Sequence, residues 1–339
     1  MTQTPDHRRP GGGFANPWPG SERAGLAGLL RWMLVERRGV LRTPDPARVA
    51  AAFPRVSPAF DAPRAAPGAV TATWIGHSAF LLQVGGWNVL VDPVFGERAS
   101  PVPFAGPRRF TPPGLPLEAL PPLDLVLHSH DHYDHLDAPT VRALARLHPK
   151  ARWLAPLGVA RTLAALGAPG AAELDWWETR DVGPLRVGFV PAQHFSGRGV
   201  SNRDASLWGG WTLHAGDAPG VFYSGDTGLH PEFARIGAER GPFALALVPI
   251  GAYAPRWFMR PVHMDPDDAV AAWRAVAEGQ RASRPDLPPP AFGGMHFGTF
   301  VLTDEPVDEP PARTRAAWDA AGLDPARLWI PRHGETWRG

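Results

Sequence analysis

The sequence predicts a layered domain in which helices cover β-sheets, of the α/β or α+β class. From about Ala69 onward, short apolar segments typical of strands alternate with segments whose apolar residues recur at helical spacing. The chain has 339 residues, of which 44% are hydrophobic, so it can bury a substantial core. We find no internal repeat of solenoid period, which favours a globular layered domain over a repeat protein.

The predicted strands and helices follow in this order. VTATWIGHSAFLLQV and WNVLVDPVF are strands around the turn Gly85-Gly86, and LDLVLHSH is a further strand. Helical segments then alternate with strands in APTVRALARL, GVARTLAALG, PLRVGFVPAQH, GVFYSGD, PFALALVPIGA, PDDAVAAWRAVAEG and LWIPRHGE. The proline-rich stretch 284–292 is predicted as a surface loop, because proline has no amide hydrogen to donate to a sheet.

We divide the chain into an N-terminal extension, residues 1–68, and a main domain, residues 69–339. The first residues, up to about Gly20, are polar and rich in Gly and Pro, which predicts a flexible tail. A short amphipathic helix follows in GLAGLLRWMLVERRG, with an apolar stripe at helical spacing formed by Leu26, Leu29, Leu30, Met33 and Leu34. Beside this stripe lie Trp32, Arg31, Arg37 and Arg38. We favour packing of the helix on its own domain or on a second subunit over contact with a lipid surface.

Charge and composition limit the partners and the compartment. The net charge is +1, and no basic stripe suggests a nucleic acid as partner. There are no cysteines, so any metal must be held by histidine nitrogens and carboxylate oxygens. The N-terminus lacks the apolar segment of a signal peptide, and no segment approaches the roughly 20 apolar residues that span a bilayer. We expect a cytoplasmic protein, soluble or peripherally attached to the inner membrane surface.

The strongest chemical signal is HDHYDHLD, residues 130–137, which directly follows the apolar run LDLVLHS. Four potential metal ligands lie within six residues: His130, His132, Asp134 and His135. In extended backbone, side chains two apart point the same way, so His130 and His132 can converge on one ion. A turn would then bring Asp134 and His135 toward a second ion. Zinc suits such ligands, and the alternative of a solvated polar loop rarely has this spacing.

Three further residues could complete such a site. Each is polar and lies at the end of an apolar segment: His194 after LRVGFVPAQ, Asp226 in YSGDTG and His296 in GGMHFG. A ligand at the rim of a sheet is held rigidly. Taken singly, each has an ordinary loop residue as its alternative, because loops carry most polar side chains. Together with the first cluster, they form a coherent ligand set.

Taken in order, these seven residues resemble the ligands of the metallo-β-lactamase superfamily. Longer motifs resemble the N-acylphosphatidylethanolamine-hydrolysing phospholipase D family and its bacterial relatives: TWIGHSAF, DPVFGERASP, GPRRF, SHDHYDHLD, ELDWWE, LWGGW, GDTG, GPFALALVPIGAYAPRWFM, HMDP, HFGTF and RHGE. The similarity covers about residues 69–339, with FANPWP near the start. It implies an α/β fold, the αββα four-layer sandwich, in which two β-sheets are flanked by helices.

The resemblance also implies how metals are held and used. The implied ligands are, for one zinc, His130, His132 and His194; for a second, Asp134, His135 and His296; and, as a bridge, Asp226. Mn²⁺ and Fe²⁺ are alternatives. Two divalent ions lower the pKa of a bridging water to roughly 7. The resulting hydroxide would attack the phosphorus of an N-acyl phosphatidylethanolamine or related phospholipid, releasing N-acylethanolamine and phosphatidic acid. We assign Asp134, Asp226 and His263 as catalytic residues.

Several neighbours have two interpretations each. Asp92 could orient a ligand imidazole or form a turn before Pro93. For His77 we favour a structural role near the site over a metal ligand. His263 could contact substrate phosphate, protonate the leaving alcohol or simply lie in a loop before a helix. Two residues of the final motif, His333 and Glu335, could support the metal loops.

Two residues depart from the family pattern. His128 stands where an aliphatic residue is usual; it shares a strand face with His130 and is either a core histidine, which we favour, or a hydrogen-bond partner of the site. Ala254 stands where the lipase family has Glu. Some tryptophans could line an acyl channel or simply fill the core, among them Trp32, Trp208 and Trp257.

The function we predict is zinc-dependent phosphodiester hydrolysis of the phospholipase D type. The expected partner is a phospholipid or other phosphodiester substrate, with membrane contact and homodimerisation left open and nucleic acid excluded. One alternative keeps the metals but hydrolyses lactones or other esters, as in the superfamily's sugar-phosphate lactonase branch. Another is a metal-bearing binding protein without turnover, which a closed, purely structural zinc site would suit better.

Overall fold

The computed structural model describes residues 6–36, 44–199 and 202–339, and within these ranges the strands form two sheets. The first sheet contains Val70–Gly76 (β1), Ala79–Val84 (β2), Trp87–Val91 (β3), Leu125–Leu127 (β4), Arg152–Pro156 (β5), Ala172–Leu174 (β6) and Thr336–Arg338 (β14). The second contains Thr179–Val182 (β7), Leu185–Val190 (β8), Gly210–Ala215 (β9), Gly220–Tyr223 (β10), Phe243–Pro249 (β11), Ala291–Met295 (β12) and Leu328–Trp329 (β13). Their strand orders are β14-β1-β2-β3-β4-β5-β6 and β13-β12-β11-β10-β9-β8-β7.

The α-helices of the described ranges are Leu26–Arg31 (α1), Pro46–Ala52 (α2), Ala138–Leu147 (α3), Ala160–Ala165 (α4), Phe233–Arg240 (α5), Arg256–Met259 (α6), Pro266–Ser283 (α7) and Glu309–Ala320 (α8). Three of them, α2, α3 and α7, begin with an aspartate cap and have a proline at one of the first two positions. Asp45 accepts from the amide of Ala47 at the start of α2. Asp137 accepts from the amide of Thr140 at the start of α3, and Asp265 from that of Asp268 at α7. None of these helices combines the length and the apolar character needed to cross a membrane.

The sheets and helices stack in four layers, αββα. Between the sheets, large side chains from both are buried together, including Trp74, Phe80, Phe189 and Trp211. On the outer face of the first sheet, alternate residues such as Val126 form a second cluster with residues of α3 and α4. Residues of α5, α7 and α8 pack on the second sheet. The predicted four-layer α/β sandwich is therefore confirmed.

Helices α5 and α7 approach each other so closely that only glycine fits at one contact. A Cβ atom on Gly279 would lie 1.9 Å from the carbonyl oxygen of Ala234, and one on Gly237 would lie 2.0 Å from that of Val276. Backbone therefore packs on backbone, which fixes the position of both helices against the sheet.

Most predicted elements are present, with two differences at their limits. The long first strand is divided at His77, whose backbone has a φ of 56°, so that β1 and β2 pair antiparallel. The predicted proline-rich loop ends at Pro290, because Ala291 and Phe292 begin β12. Short strands such as β5 and β6 were not predicted, since three to five apolar residues carry little periodicity.

The predicted flexible tail is wrong for part of the N-terminus. Phe14 and Trp18 are buried in the main core, and the Trp18 ring stacks on Trp176 and His230 with centroids 5.6 and 4.8 Å apart. Aromatic burial outweighs the polar, glycine-rich composition that suggested disorder. Residues 1–5 of the tail lie outside the described residues. The division between residues 68 and 69 stays a prediction.

The amphipathic helix packs on its own domain, as we favoured, but for the most part not through the predicted stripe. Most of the predicted core-facing stripe is exposed, namely Leu26, Leu30, Met33 and Leu34. The contact with the domain is made instead by Trp32, with Leu29 packed beside it. After α1 the chain continues as a π-helical turn, Trp32–Glu36, whose wider spacing shifts the side chains off a single face. The predicted Arg37 and Arg38 lie outside the described residues.

Candidate metal centre

The site lies at one edge of the sandwich, where strands of both sheets end. His130 and His132 follow β4, and His194 follows β8. Asp226 follows β10, and His296 comes directly after β12. Strands β3, β4 and β5 are mutually parallel, as are β10, β11 and β12, so their carboxyl ends meet at common edges. This topology brings residues far apart in sequence to one place.

Three histidines form the first group. Nε2 of His130 lies 2.9 Å from Nδ1 of His132, and Nε2 of His194 lies 3.2 Å from the same nitrogen. All three side chains are buried or half-buried. These are the residues predicted for one metal ion, and their ring nitrogens converge as such a site requires.

The second group is arranged around Asp134. Its Oδ2 lies 3.5 Å from Nε2 of His296 and 3.6 Å from Nε2 of His135, as predicted for a second ion. The same oxygen lies 3.0 Å from Nε2 of His77. His77 therefore belongs to this group in space, where it contacts the carboxylate that the sequence predicts as a ligand.

Asp226 lies between the two groups. Its Oδ2 is 2.9 Å from Nε2 of His296 and 3.1 Å from Nε2 of His135. It is also 3.8 Å from Nε2 of His194 and 4.0 Å from Nε2 of His130. The structure thus brings together all seven residues predicted as ligands, with Asp226 in the bridging position. Their metal-binding roles stay a prediction.

Asp92 supports the second group through a hydrogen bond to His135. Its Oδ2 accepts hydrogen bonds from Nδ1 of His135, at 2.7 Å, and from the hydroxyl of Tyr223, at 2.6 Å. Its Oδ1 accepts from the amide of Ser129, at 2.7 Å. Of the two interpretations of Asp92, the structure favours orientation of an imidazole. A carboxylate on Nδ1 directs the Nε2 lone pair of His135 toward the site.

Sequence reasoning missed four residues that support the ligands. Ser129 Oγ lies 2.9 Å from Nδ1 of His130. The side-chain amide of Asn16 donates to the carbonyl of His194 and accepts from its backbone amide. The guanidinium of Arg198 donates to the carbonyls of Asp131 and Leu136, near the two ends of the HDHYDHLD turn. Tyr223 is the donor to Asp92 described above. The FANPWP motif was a usable signal for Asn16, whereas the other contacts depend on the fold.

His128 is a core histidine that also contacts the metal loop. It is fully buried, its ring lies parallel to that of Trp153 at 6.0 Å, and its Nδ1 lies 3.1 Å from the carbonyl oxygen of His135. Burial lowers the pKa of His128 to about 4, so the ring is neutral. Both interpretations made from the sequence therefore hold, although the contact is with backbone and not with a ligand ring.

Two of the remaining residues lie near the centre. The His263 ring faces those of His194 and His296, with centroids 5.0 and 5.2 Å apart, so it borders both groups. His333 lies 3.4 Å from the hydroxyl of Thr299, which accepts from the amide of His77 and so supports the site indirectly.

Glu335 and Ala254, which the sequence analysis also singled out, lie away from the ligands. Glu335 pairs with Arg332, so the predicted support from Glu335 is not found. The amide of Ala254 donates to Glu305 at 3.0 Å. A glutamate carboxylate therefore still lies next to position 254, although it comes from another part of the chain.

Backbone strain is concentrated at the centre. His77, Asp92 and His296 have φ values of 56°, 41° and 62°, in the left-handed region that residues other than glycine rarely adopt. Each costs of the order of 1 kcal/mol and persists only where the surroundings impose it. The hydrogen bond from the amide of His296 to the carbonyl of His77, at 3.0 Å, ties two of these strained positions together.

The two carboxylates are ionised in spite of their burial. Burial alone would raise the pKa of Asp226, but His135 and His296 beside it hold that pKa well below its usual range. The same opposition holds for Asp134, where His135, His296 and His77 outweigh burial and lower the pKa. A buried pair of carboxylates surrounded by imidazoles is an arrangement that attracts cations.

The histidines divide into two classes. Burial and neighbouring histidines keep the pKa of His130 and of His194 well below the usual value, so both rings are neutral and have a free lone pair. For His296, burial lowers the pKa, but Asp226 and Asp134 overcome it and raise the value to about 9. Metal binding at His296 must therefore displace a proton.

The donor set fits divalent metal ions. Among the described residues, Oδ1 of Asp226 is buried and lacks a hydrogen-bond partner, and the buried Nε2 atoms of His135 and His296 lie 3.1 and 2.9 Å from Oδ2 of that carboxylate without hydrogen-bond geometry. Buried polar atoms without partners are costly, and a cation placed among them would satisfy all three. Imidazole nitrogens and carboxylate oxygens without thiolates suit zinc, with manganese and iron as alternatives.

Comparisons with known proteins agree with this arrangement. A family described as the Beta-lactamase superfamily domain matches residues 87–282. An uncharacterized protein of Mycobacterium tuberculosis is 40% identical over 93% of this chain and 80% of its own length. The N-acyl-phosphatidylethanolamine-hydrolyzing phospholipase D 1 of Caenorhabditis elegans is 39% identical over 74% of this chain and 70% of its own length.

A solved structure supports the fold. The metallo hydrolase Igni18 of Ignicoccus hospitalis superposes with a TM-score of 0.57 at 24% identity, covering 80% of this chain and 98% of its own. Fold, site and relatives together define a metal-dependent hydrolase. The chain belongs to the metallo-β-lactamase superfamily, and its resemblance to the N-acylphosphatidylethanolamine-hydrolysing phospholipase D family is confirmed.

Proposed function

We propose that the protein is a dinuclear zinc phosphodiesterase of the phospholipase D type, acting on N-acyl phosphatidylethanolamine or a related phospholipid. The observation that carries the proposal is the position of Asp226 between two ligand groups, at 2.9–4.0 Å from four histidine nitrogens. The similarity to the C. elegans phospholipase supports the choice of substrate class. A pair of bound divalent ions supplies Lewis-acid activation of water and of a phosphoryl group.

The predicted ligands form two groups, each of which would hold one ion. His130, His132 and His194 would hold one ion, and Asp134, His135 and His296 the other, with Asp226 shared. Asp92 and Ser129 keep two of these imidazoles in one orientation through the hydrogen bonds described above. Such support is needed because a misplaced ligand loosens the reacting geometry.

His263 is placed to act on the substrate. It is almost fully buried, it borders both ligand groups, and its Nδ1 has no hydrogen-bond partner among the described residues. Burial lowers the pKa of His263 to about 3, so the ring is neutral and is a poor source of a proton. We therefore infer that His263 contacts the substrate phosphate as a hydrogen-bond donor, in place of protonating the leaving alcohol.

A cavity next to the site suits an anionic substrate. It has a volume of about 650 Å³, reaches His194 and is lined by Arg9, Arg23 and Arg203, with Glu22 as the acidic residue of the lining. Asp204 pairs with both Arg9 and Arg23, so the three arginines are offset by two carboxylates, and the small remaining positive charge favours a phosphate-bearing molecule over a neutral ester. The lining also includes Trp18 and Trp208, whose side chains are buried in the main core.

The test is a turnover assay on three substrate classes with the metal-loaded protein: N-acyl phosphatidylethanolamine, bis(p-nitrophenyl) phosphate and a lactone. We expect hydrolysis of both diesters and about two ions per chain by elemental analysis. Asp226→Asn should abolish turnover and leave the melting temperature nearly unchanged, whereas Asp217→Asn, an exposed carboxylate in the β9–β10 turn, should behave as the wild type.

The other outcomes of this assay would support the alternative functions. Hydrolysis of the lactone alone would establish the lactonase alternative, and no turnover of any class would favour a metal-bearing binding protein. A single firmly bound ion would contradict the dinuclear site. Treatment with a chelator should remove both turnover and the ions, and added zinc should restore them.

A further inference from the structure

His77 is buried at the metal centre, but the proposed function gives it no role. Its side chain is 2% exposed. Its ring packs against those of His135, His296 and Phe300, with ring centres 5.4, 4.1 and 5.3 Å away. A buried imidazole is costly unless its polar atoms have partners, so the contacts of His77 indicate what the residue does.

The ring nitrogen that faces the site contacts Asp134. Nε2 of His77 lies 3.0 Å from Oδ2 of Asp134, the oxygen that also faces Nε2 of His135 and of His296. An ionised carboxylate has no hydrogen to donate, so the donor is the Nε2–H group of His77. A carboxylate oxygen has more than one lone pair, and Oδ2 can therefore accept this hydrogen bond and still face a cation.

The hydrogen on the His77 ring is on the opposite nitrogen from that expected of a ligand. Three of the predicted ligand histidines have an oxygen 2.7–2.9 Å from Nδ1: Ser129 Oγ for His130, Asp92 Oδ2 for His135 and the carbonyl of Val262 for His194. A hydrogen on Nδ1 reserves Nε2 for a metal ion. On His77, Nδ1 has no hydrogen-bond partner among the described residues. Its ring is therefore suited to donate to a ligand and not to act as one.

The backbone of His77 joins the two sheets at the centre. The residue lies between β1 and β2 of the first sheet, and it forms an isolated antiparallel bridge with Phe297, just after β12 of the second. Its carbonyl accepts from the amide of His296 at 3.0 Å and from the indole of Trp74 at 2.8 Å. Its amide donates to the hydroxyl of Thr299 at 2.7 Å. These bonds direct the ring toward Asp134 without involving the side chain.

We propose that His77 is a positioning residue for the second metal ion, whose Nε2–H holds Oδ2 of Asp134 toward His135 and His296. The inference rests on the proposed function, because it requires that these residues bind a metal. Within the described ranges, the hydrogen bonds and ring contacts of His77 are with the second group and its surroundings, and none is with the histidines of the first group. Loss of the His77 side chain should therefore affect the second ion alone.

Two substitutions separate the hydrogen bond from the space that the ring fills. His77→Gln keeps an N–H group about as far from the backbone as Nε2, whereas His77→Leu has no donor. Zinc binding to the full-length protein is measured by equilibrium dialysis over a range of free zinc. We expect His77→Leu to bind the second ion about 10- to 100-fold more weakly and the first ion unchanged. His77→Gln should recover most of the lost affinity.

His77→Asn keeps the test decisive if the leucine variant does not fold. Asparagine tolerates the left-handed backbone of this position, where φ is 56°. It has the same amide group as glutamine but is one methylene shorter, so its amide falls short of Asp134. It should therefore bind zinc as weakly as His77→Leu. His148→Gln, just after α3, is the matched control and should bind both ions as the wild type does.

Cobalt loading adds a readout that a purely structural role would not change. The proteins are titrated with Co²⁺, whose visible spectrum depends on the ligands around the ion. In His77→Asn and His77→Leu, the spectrum of the second equivalent should differ from that of the wild type. The spectrum of the first equivalent should be the same in all the proteins, and His77→Gln should resemble the wild type throughout.

Several results would overturn the inference. One is equal affinity for the second ion in the wild type and in the asparagine and leucine variants. Another is a glutamine variant that binds this ion as weakly as the leucine variant, since Nε2 of His77 would then be a metal ligand itself. Equal loss of both ions would indicate general support of the centre. Because zinc binding requires no turnover, a wild type that binds two ions but hydrolyses no diester would contradict the proposed function and leave the role of His77 standing.

Discussion

The side chain of Asn16 spans the backbone of His194: its amide nitrogen donates to the carbonyl of His194 at 2.8 Å, and its oxygen accepts from the amide of His194 at 3.1 Å. The same oxygen accepts from the indole of Trp208 at 3.1 Å. A residue near the start of the chain therefore completes the backbone hydrogen bonding of a predicted metal ligand from the middle of it.

Asn16→Ala should weaken metal binding at the first group without unfolding the protein. The substitution leaves the amide and carbonyl of His194 without these partners, each buried group costing about 1–3 kcal/mol. We expect a lower melting temperature, a lower zinc affinity and a lower kcat with little change in KM. Zinc competition with a chromophoric chelator measures the affinity. Asp217→Ala, in the exposed turn between β9 and β10, is the control. Unchanged zinc affinity would show that Asn16 supports only the fold.

Asp92→Asn should reduce zinc affinity about 10- to 100-fold, the usual effect of removing a carboxylate that orients a ligand imidazole. Asparagine keeps the size of the side chain but loses the charge that His135 Nδ1–H donates to. The same chelator competition checks this, with the exposed Asp319→Asn as control. Equal affinities in the two variants would contradict an orienting role for Asp92.

His230 should make the protein less stable in acid. Burial between Trp18 and Phe233 lowers the pKa of His230 to about 3, against about 6.5 in the unfolded chain. Since the folded pKa is depressed, the unfolded state binds a proton first, and stability is lost as the pH falls below about 6.5. At pH 5 this amounts to about 2 kcal/mol.

The variant His230→Phe keeps the aromatic packing and removes the proton site. Its free energy of unfolding should fall less than that of the wild type between pH 7 and pH 5, by about 2 kcal/mol. Urea unfolding at the two pH values measures the difference. If both proteins lose the same stability, protonation of His230 is not the cause of the acid sensitivity.

Gly279→Ala should destabilise the protein by about 1–3 kcal/mol, although alanine favours helix by about 1 kcal/mol over glycine. The added Cβ would meet the carbonyl of Ala234 at 1.9 Å, and backbone cannot yield as a flexible side chain does. Thermal unfolding should detect the loss. Gly68→Ala, where no heavy atom lies within 4 Å of the added carbon, should leave stability nearly unchanged. A gain of stability in Gly279→Ala would show that α5 and α7 can separate.

Prediction from sequence succeeded where the signal was local. The ligands of the HDHYDHLD segment lie in one turn, and α3 coincides with the predicted helical segment APTVRALARL. His194, Asp226 and His296 were candidates because each ends an apolar segment, but their assignment to particular ions depended on the family resemblance, because the sheet topology that joins them is not visible in local periodicity. Contacts such as Ser129 with His130 follow from the strand geometry and were not anticipated.

The errors concern segments whose composition and structure disagree. Residues 14–18 resemble a disordered tail in composition, yet two aromatic rings bury themselves in the core. The α1 stripe has the spacing of a core-facing helix, yet the π-helical turn presents Trp32 to the domain and leaves the aliphatic residues outside. In both segments, tryptophan decides which side is buried, because it has the largest apolar area to remove from water.

Segments near both ends of the described chain contact residues of the metal centre or residues that support it, and this matters for truncation and tagging. Asn16 braces His194 from one end, while at the other end Gly339 donates to Val70 beside the β14–β1 pair and His333 lies under Gly76. Trimming the polypeptide to its family-matched portion, residues 87–282, would remove Asn16 and the predicted ligand His296 and would therefore disturb metal loading. A tag on a long spacer upstream of Phe14 is the safer choice for purification.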